Sequence, residues 1–88
     1  MNKIVEKKFN NLINNIRNKE NLFEFFDNCE FVHEEDVYDG DILHKTSTFR
    51  DNFGNILKEE VVFDKTNNSC NYLGTKYSVY NTILKKEF

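Results

Sequence analysis

The sequence predicts an α+β fold, an N-terminal helix (or two) packed on a three- to four-stranded antiparallel meander. Apolar residues recur every three or four positions up to residue 26. After residue 28, β-branched and aromatic residues alternate with turn-forming pairs. Because single domains commonly hold about 100–150 residues, residues 1–88 are expected to form one α+β domain.

The first helix is predicted from an apolar stripe with the spacing of one helix face. The stripe consists of Ile4, Val5, Phe9, Leu12, Ile13 and Ile16. The opposite positions are mostly Asn, a poor helix former. We therefore expect this helix to depend on packing against the rest of the domain.

The polar run 18–21 leaves two possibilities open. Phe23 and Phe26 continue the stripe after one missed turn, which favours a single long helix. A break at the run would instead place Asn21 three residues before Glu24, the spacing of a capping box, and would begin a second short helix that ends at Asp27.

Three strands are predicted over 31–38, 42–50 and 56–64. Asp39-Gly40 and the run 51–55 supply the two turns. In the third strand Leu57, Val61 and Phe63 share one face with Glu59, and this face should point inward.

The end of the chain is less determined. The run 66–69 is predicted to be a loop, because its side chains compete for backbone hydrogen bonds. The segment 75–86 fits a helical stripe or a strand, and its β-branched and aromatic residues favour the strand. The predicted topology resembles cystatin-like folds, in which a helix crosses a curved meander; such folds host unrelated activities, so no function follows from the resemblance.

The net charge of −3 conceals an uneven distribution. Residues 1–19 sum to +4, residues 20–41 to −9 and residues 42–88 to +2. Residues 20–41, here called the acidic segment, contain no Lys or Arg. The segment argues against nucleic-acid binding, since affinity for phosphate comes from basic side chains, and the +4 of the N-terminal helix is modest for that purpose.

Two further patterns in the acidic segment bear on its role. As a strand, it should place Glu30, Glu34 and Asp36 on one face and Phe31 on the other. Charges also protect an edge strand from aggregation, and acidic residues keep a small domain soluble. Glu24 and Asp27, with Glu30, lie near the predicted end of the helical region, where the helix dipole disfavours negative charge. This conflict favours a functional role.

The sequence offers little support for metal binding or catalysis. Cys29, His33, His44 and Cys70 lack the paired spacing of a zinc site, and no spacing recommends them as a catalytic pair. Asp39-Gly40-Asp41-Ile42 resembles the middle of a calcium-binding EF-hand loop, but Val37 and Thr46 would occupy ligand positions. We therefore expect no enzyme activity, cofactor or metal.

Location is inferred from what the N-terminus contains. Lys3, Glu6, Lys7 and Lys8 interrupt the region where a signal peptide needs an apolar run. Two cysteines are too few for the disulfide framework of a small secreted domain, so both are expected to be reduced and partly buried. A cytoplasmic protein with no membrane contact is the expectation, and the fourteen Asn and ten Lys indicate an AT-rich genome.

These observations predict a small acidic inhibitor that docks the acidic segment on a basic face, including a nucleic-acid-binding one, of a larger protein. It resembles phage anti-defence proteins, antitoxins and immunity proteins in size and charge. The predicted contact residues are nine that belong to the acidic segment and one turn aromatic: Glu24, Asp27, Glu30, Glu34, Glu35, Asp36, Tyr38, Asp39, Asp41 and Phe53. The alternative is a homo-oligomer in which the basic helix of one copy pairs with the acidic segment of another.

Overall fold

The computed structural model describes residues 2–88 and confirms the α+β class. Its elements are helices α1 (Lys3–Arg17) and α2 (Phe23–Asp27) and strands β1 (Cys29–Asp39), β2 (Ile42–Asp51), β3 (Asn55–Asp64), β4 (Asn71–Asn81) and β5 (Lys86–Glu87). The predicted three or four strands were an undercount, because five form one antiparallel meander in chain order. The second helix is only a short turn of five residues.

The break between the helices has a local cause. Lys19 adopts a left-handed conformation, with φ of 54°, directly after the last turn of α1. The backbone N–H of Glu20 donates to the carbonyl of Asn15 at 2.9 Å, and that of Lys19 donates to Ile16 at 3.2 Å. This pair of bonds is a Schellman motif, which ends a helix by satisfying its free carbonyls.

Turn chemistry decides where the strands begin and end. Asp39 pairs with Ile42, so the first turn is Gly40-Asp41, with a φ of 63° at Gly40. The loop predicted over 66–69 is a short 3-10 turn over Thr66–Asn68 followed by Ser69. The segment 75–86 is a strand as far as Asn81, as favoured, and then turns back into the two-residue β5.

One end of the sheet carries the hydrophobic core. Phe9, Leu12 and Ile13 of α1, with Leu22 and Phe25, pack on Leu57 and Val79 of the two central strands. Leu57 has no exposed surface and Val79 is 2% exposed. Burying side chains of this size stabilises the fold by about 1.5–3 kcal/mol each, so the Asn-rich helix is held by this contact.

A buried polar network joins two turns at the same end. Asn55 and Asn81 are both fully buried, and the Asn81 amide donates to Asn55 Oδ1 at 2.8 Å and to the Phe53 carbonyl at 3.0 Å. Asn81 Oδ1 accepts from the backbone N–H of Ile83 and Leu84. The Asn81 side chain thereby turns the chain toward β5.

Among residues 2–88, no α-helix packs on the other end of the sheet. The molecule is 53 Å long but only 24 by 21 Å across, and the buried cluster that includes the helices lies at the end that holds the β2–β3 turn. We call residues 33–48 and 60–76 the distal half. There the meander is a single layer, so both of its faces reach the solvent. No helix within residues 2–88 is long and apolar enough to cross a membrane.

Candidate protein-binding surface

Half of the acidic segment, including five of its nine acids, forms the edge strand β1. Within the described residues 2–88, this strand pairs only with β2, as expected for the first strand of a meander. Every residue of β1 except the half-buried Cys29 is exposed. The predicted contact residues of this strand are therefore accessible along its whole length.

A β-bulge changes the predicted faces of β1. Phe31 pairs with Phe49, but the next paired residue is His33, opposite Thr48. The extra residue, Val32, reverses the alternation, so Phe31 shares the helix-side face with Glu34 and stacks edge-on against Phe49 at 5.8 Å. The expectation that Glu30 shares a face with Glu34 and Asp36 was wrong, because simple alternation ignores the bulge.

Two carboxylates of β1 share one cation. Lys45 Nζ lies 2.8 Å from Glu34 Oε1 and 3.2 Å from Asp36 Oδ1. Lys45 is directly opposite Asp36 in the β1–β2 ladder. The hydrogen bonds to Glu34 and then to Asp36 raise the pKa of Lys45, which stays charged at neutral pH.

Two more carboxylates have cationic partners. Glu24 lies 2.8 Å from Lys8 of α1, and this hydrogen bond lowers the pKa of Glu24. Glu30 lies 3.0 Å from Arg50 of β2. The expected conflict with the helix dipole was wrong for both, since Glu24 is in the first turn of α2 and Glu30 is in a strand. Of the three acids in this expectation, Asp27 alone lies at the C-terminal end of a helix.

The remaining acids have no ion-pair partner. Within residues 2–88, no Lys, Arg or His lies within ion-pair distance of Asp27, Glu35, Asp39 or Asp41. Three of them lie on β1 or its turn, in the distal half. Three of the four unpaired contact acids therefore lie at the end of the molecule opposite the α-helices.

The two predicted aromatic anchors lie at opposite ends of the sheet. Tyr38 is 59% exposed beside the β1–β2 turn. Phe53 lies in the β2–β3 turn, where it is half-buried with Lys8 Nζ 5.2 Å from its ring centre. Because the ten residues of β2 separate the turns by about 30 Å, the structure does not bring Phe53 together with Tyr38.

An apolar row in the distal half was missed by the sequence reasoning. The register places Tyr38, Leu43, Phe63 and Tyr72 side by side across four strands. The rings of Phe63 and Tyr72 are 6.1 Å apart, and Leu43 between its neighbours is only 6% exposed. Alternation along each strand indicates which residues share a face. It does not show which residues of neighbouring strands lie side by side, because that depends on the register between the strands.

The soft and borderline metal ligands are spread over the fold. His33 lies opposite Thr48 and His44 opposite Val37, so the two rings are on separate rungs of the β1–β2 ladder. Cys29 is half-buried, and its desolvation raises the pKa of this thiol, whereas Cys70 is exposed, contrary to expectation. Across residues 2–88, no three His, Cys, Asp or Glu side chains meet in a geometry that could hold a metal.

A cleft of about 180 Å³ lies between α1, α2 and the β2–β3 turn. Lys8 and Glu24 lie in its wall with Asn11, Asn15 and Asp51. Small-molecule sites typically enclose roughly 300–1,000 Å³. The Lys8–Glu24 ion pair and the asparagines account for its polar lining, so we assign it no ligand.

The hydroxyl of the half-buried Tyr77 makes the free energy of unfolding depend on pH, and this dependence tests the packing at the border of the distal half. Its hydroxyl donates to Glu59 Oε2 at 3.0 Å, and burial, with this bond, raises the pKa of Tyr77 to about 12. An unfolded tyrosine titrates near about 10, so the unfolded chain releases its proton first and the free energy of unfolding falls as pH rises from about 10 to 12.

We expect this loss to be about 1 kcal/mol, because partial solvent access weakens the effect. Urea unfolding of the wild type and Tyr77→Phe at pH 9 and pH 11.5 measures it. The Phe variant should lose less stability over this interval, and equal losses would contradict the packing described for Tyr77.

Comparisons with protein-family models, with curated proteins and with solved structures found no match to this chain.

Proposed function

We propose that this chain is a small acidic protein-binding module, an inhibitor that docks its acidic segment on a basic face of a larger protein. The basic face includes those that bind nucleic acid, as in targets of anti-defence proteins, antitoxins and immunity proteins. The observation that carries the proposal is the exposed edge strand β1 with the turn that follows it, because their acids Glu35, Asp39 and Asp41 have no Lys, Arg or His within ion-pair distance among residues 2–88.

Solubility alone accounts less well for this arrangement. The fold already has ionisable groups on both faces of its distal half, since Lys45 with Glu34 and Asp36 lies on one face and His44, 3.2 Å from Glu60, lies on the other. Uncompensated acids gathered at one end produce a directed field, and such a field accelerates association with a basic partner. The exposed ring of Tyr38 beside them is a side chain typical of interface anchors.

The homo-oligomer alternative gains no support from the contacts. The basic helix already meets the acidic segment within one copy, since Lys8 pairs with Glu24. Arg17 lies 5.0 Å from the ring centre of Phe88 in the same copy. These contacts occupy two of the cations that a second copy would have needed.

Charge reversal tests the proposal. The wild-type chain is immobilised, its partner is captured from host extract and identified, and the dissociation constant is measured at 50 and 300 mM salt. Glu35→Lys with Asp39→Lys should weaken binding at least tenfold, a loss of about 1.4 kcal/mol. Both positions are exposed and unpaired, so the fold should be retained.

A matched control separates local from total charge. Glu6→Lys with Glu87→Lys also reverses two exposed acids outside the acidic segment. Each reversal adds two charges, so both double variants change the net charge from −3 to +1. The control should bind within about threefold of the wild type at 300 mM salt, where long-range fields are screened. Equal losses in the two variants, or binding that ignores salt, would disprove docking through the acidic segment.

A further inference from the structure

We infer that the free edge of β1 is a strand-addition site, which pairs with an extended basic segment of the partner and continues the meander by one strand. The inference rests on the proposed function and specifies how the acidic segment binds. It depends on three observations: the direction of the β1 backbone groups, the charges beside them and the interruption of the opposite sheet edge.

The turn determines which backbone groups of β1 are free. Because a two-residue turn joins β1 to β2, Asp39 and Ile42 form a hydrogen-bonded pair, and such pairs alternate along the ladder. Residues 37 and 35 therefore direct their N–H and C=O groups at β2. The N–H and C=O groups of Glu34, Asp36 and Tyr38 point away from the sheet.

These outward groups form a regular edge. The bulge at Val32 lies before them, and residues 33–39 pair with β2 without a further shift. The whole stretch is exposed, so no helix or loop of residues 2–88 covers it. An uncovered edge of this kind is a template for another strand.

Charge selects a basic strand as the occupant. Antiparallel pairing of β1 with β1 of a second copy would place Asp36 opposite Asp36 or Glu34, and like charges directly opposite are destabilising. The structure already shows the favourable case, because Lys45 on the neighbouring strand contacts both Glu34 and Asp36. A Lys or Arg on a strand added at the free side would occupy the equivalent cross-strand position.

The opposite edge of the sheet is less suited to strand addition. The β4 ladder is interrupted between Val62 and Phe63, where Leu73 is the extra residue and Gly74 has a φ of 150°. β5 pairs with Tyr80 and Asn81 at the other end of β4. Bulges and short covering strands protect an edge from pairing, and β1 lacks such an interruption over 33–39.

A synthetic peptide tests the inference before the natural partner is identified. The probe is acetyl-TKVKKKVT-amide, which as an antiparallel strand places lysines opposite Glu34, Glu35 and Asp36 and a valine opposite Val37. The control has the same sequence with methyl groups on the four central backbone nitrogens. It keeps the charge of the probe, but neither edge of the peptide strand can donate its central backbone hydrogen bonds. Calorimetry measures affinity, and amide hydrogen exchange follows the N–H groups of residues 34, 36 and 38.

Backbone methylation should weaken binding about tenfold or more, since several hydrogen bonds are lost. Only the unmodified peptide should protect the three outward N–H groups. Equal, salt-sensitive binding of both peptides would overturn strand addition and leave charge-based docking intact. Absence of binding by both would also overturn strand addition, whereas the proposed function is judged separately by the captured partner and the charge-reversal pair.

A variant of the protein gives a second measure. Asp36→Pro removes an outward N–H while leaving the ladder to β2 unbroken, because Pro is tolerated where the N–H faces away from the sheet. Asp36→Ala removes the same charge and keeps the N–H. We expect the Pro variant to bind the unmodified peptide at least about tenfold more weakly than the Ala variant, and equal affinities would contradict the inferred edge. If the Pro variant does not fold, the methylated peptide decides the question on the wild-type chain.

Discussion

Leu57→Ala is expected to lower the free energy of unfolding by about 3 kcal/mol. Leu57 is fully buried on the central strand β3, between Phe49 on β2 and Val79 on β4, and it lies beneath the helices. Truncation loses the burial of the side chain and leaves a cavity that the sheet cannot close. Small domains are stable by about 5–15 kcal/mol, so this change removes a large share. Urea unfolding followed by circular dichroism measures it.

Val61→Ala is the matched control for this change. Val61 lies on the same strand and, by alternation, the same face, four residues beyond Leu57 in the distal half. It is half-buried and lies outside the core formed with the helices. Its truncation should cost about 1 kcal/mol or less. Equal losses at the two positions would mean that the distal half is packed as tightly as the helix-covered end.

Local patterns predicted the elements because each depends on neighbouring residues. Leu57, Val61 and Phe63 alternate as a half-buried strand must, and the polar run after Arg17 gave a break as one of two alternatives. The conformation of the break was less accessible, because Lys19 rather than Gly takes the left-handed position. The fifth strand was missed because two residues, Lys86–Glu87, form no periodic pattern.

The candidate surface depended on strand register, which the sequence determines only through its turns. A hairpin centred on Asp39-Gly40 would pair residue 36 with residue 43, whereas the observed centre, Gly40-Asp41, pairs Asp36 with Lys45. Gly at the first central position is typical of a type II′ turn, so this signal was present in the sequence. The bulge at Val32 had no comparable marker, since no Gly lies there. Exposure of the acids was therefore predictable, but their cationic partners were not.

Side-chain networks are harder still, because they join residues that are distant in the chain. Asp51 Oδ1 accepts from the backbone N–H of Phe53 and Asn55, which any Asp-initiated turn suggests. The other oxygen of this carboxylate, Oδ2, accepts from Asn55 Nδ2 at 3.0 Å. Asn55 Oδ1 in turn accepts from the side-chain amide of Asn81. Nothing in a chain with fourteen Asn distinguishes these two as the fully buried pair. Only the antiparallel register of β3 and β4, which places them opposite each other, identifies them.

Asn81→Ala should consequently lower the free energy of unfolding by about 2–4 kcal/mol. The change removes two donated bonds, to Asn55 and to the Phe53 carbonyl, and leaves the N–H groups of Ile83 and Leu84 without their acceptor. Asn71→Ala, at the exposed start of the same strand, should change stability by less than about 0.5 kcal/mol.

The Asn55→Ala variant and the double variant complete a cycle that isolates the pair. Since each side chain is the other's partner in a fully buried site, we expect a coupling energy of about 1 kcal/mol or more. Additive losses would show that the amides act independently and that the C-terminal turn is held by its backbone bonds, such as that from Lys85 N–H to the Asn81 carbonyl. Coupled losses would show that the network fastens β5 to the sheet, at the end of the molecule opposite the acidic turn.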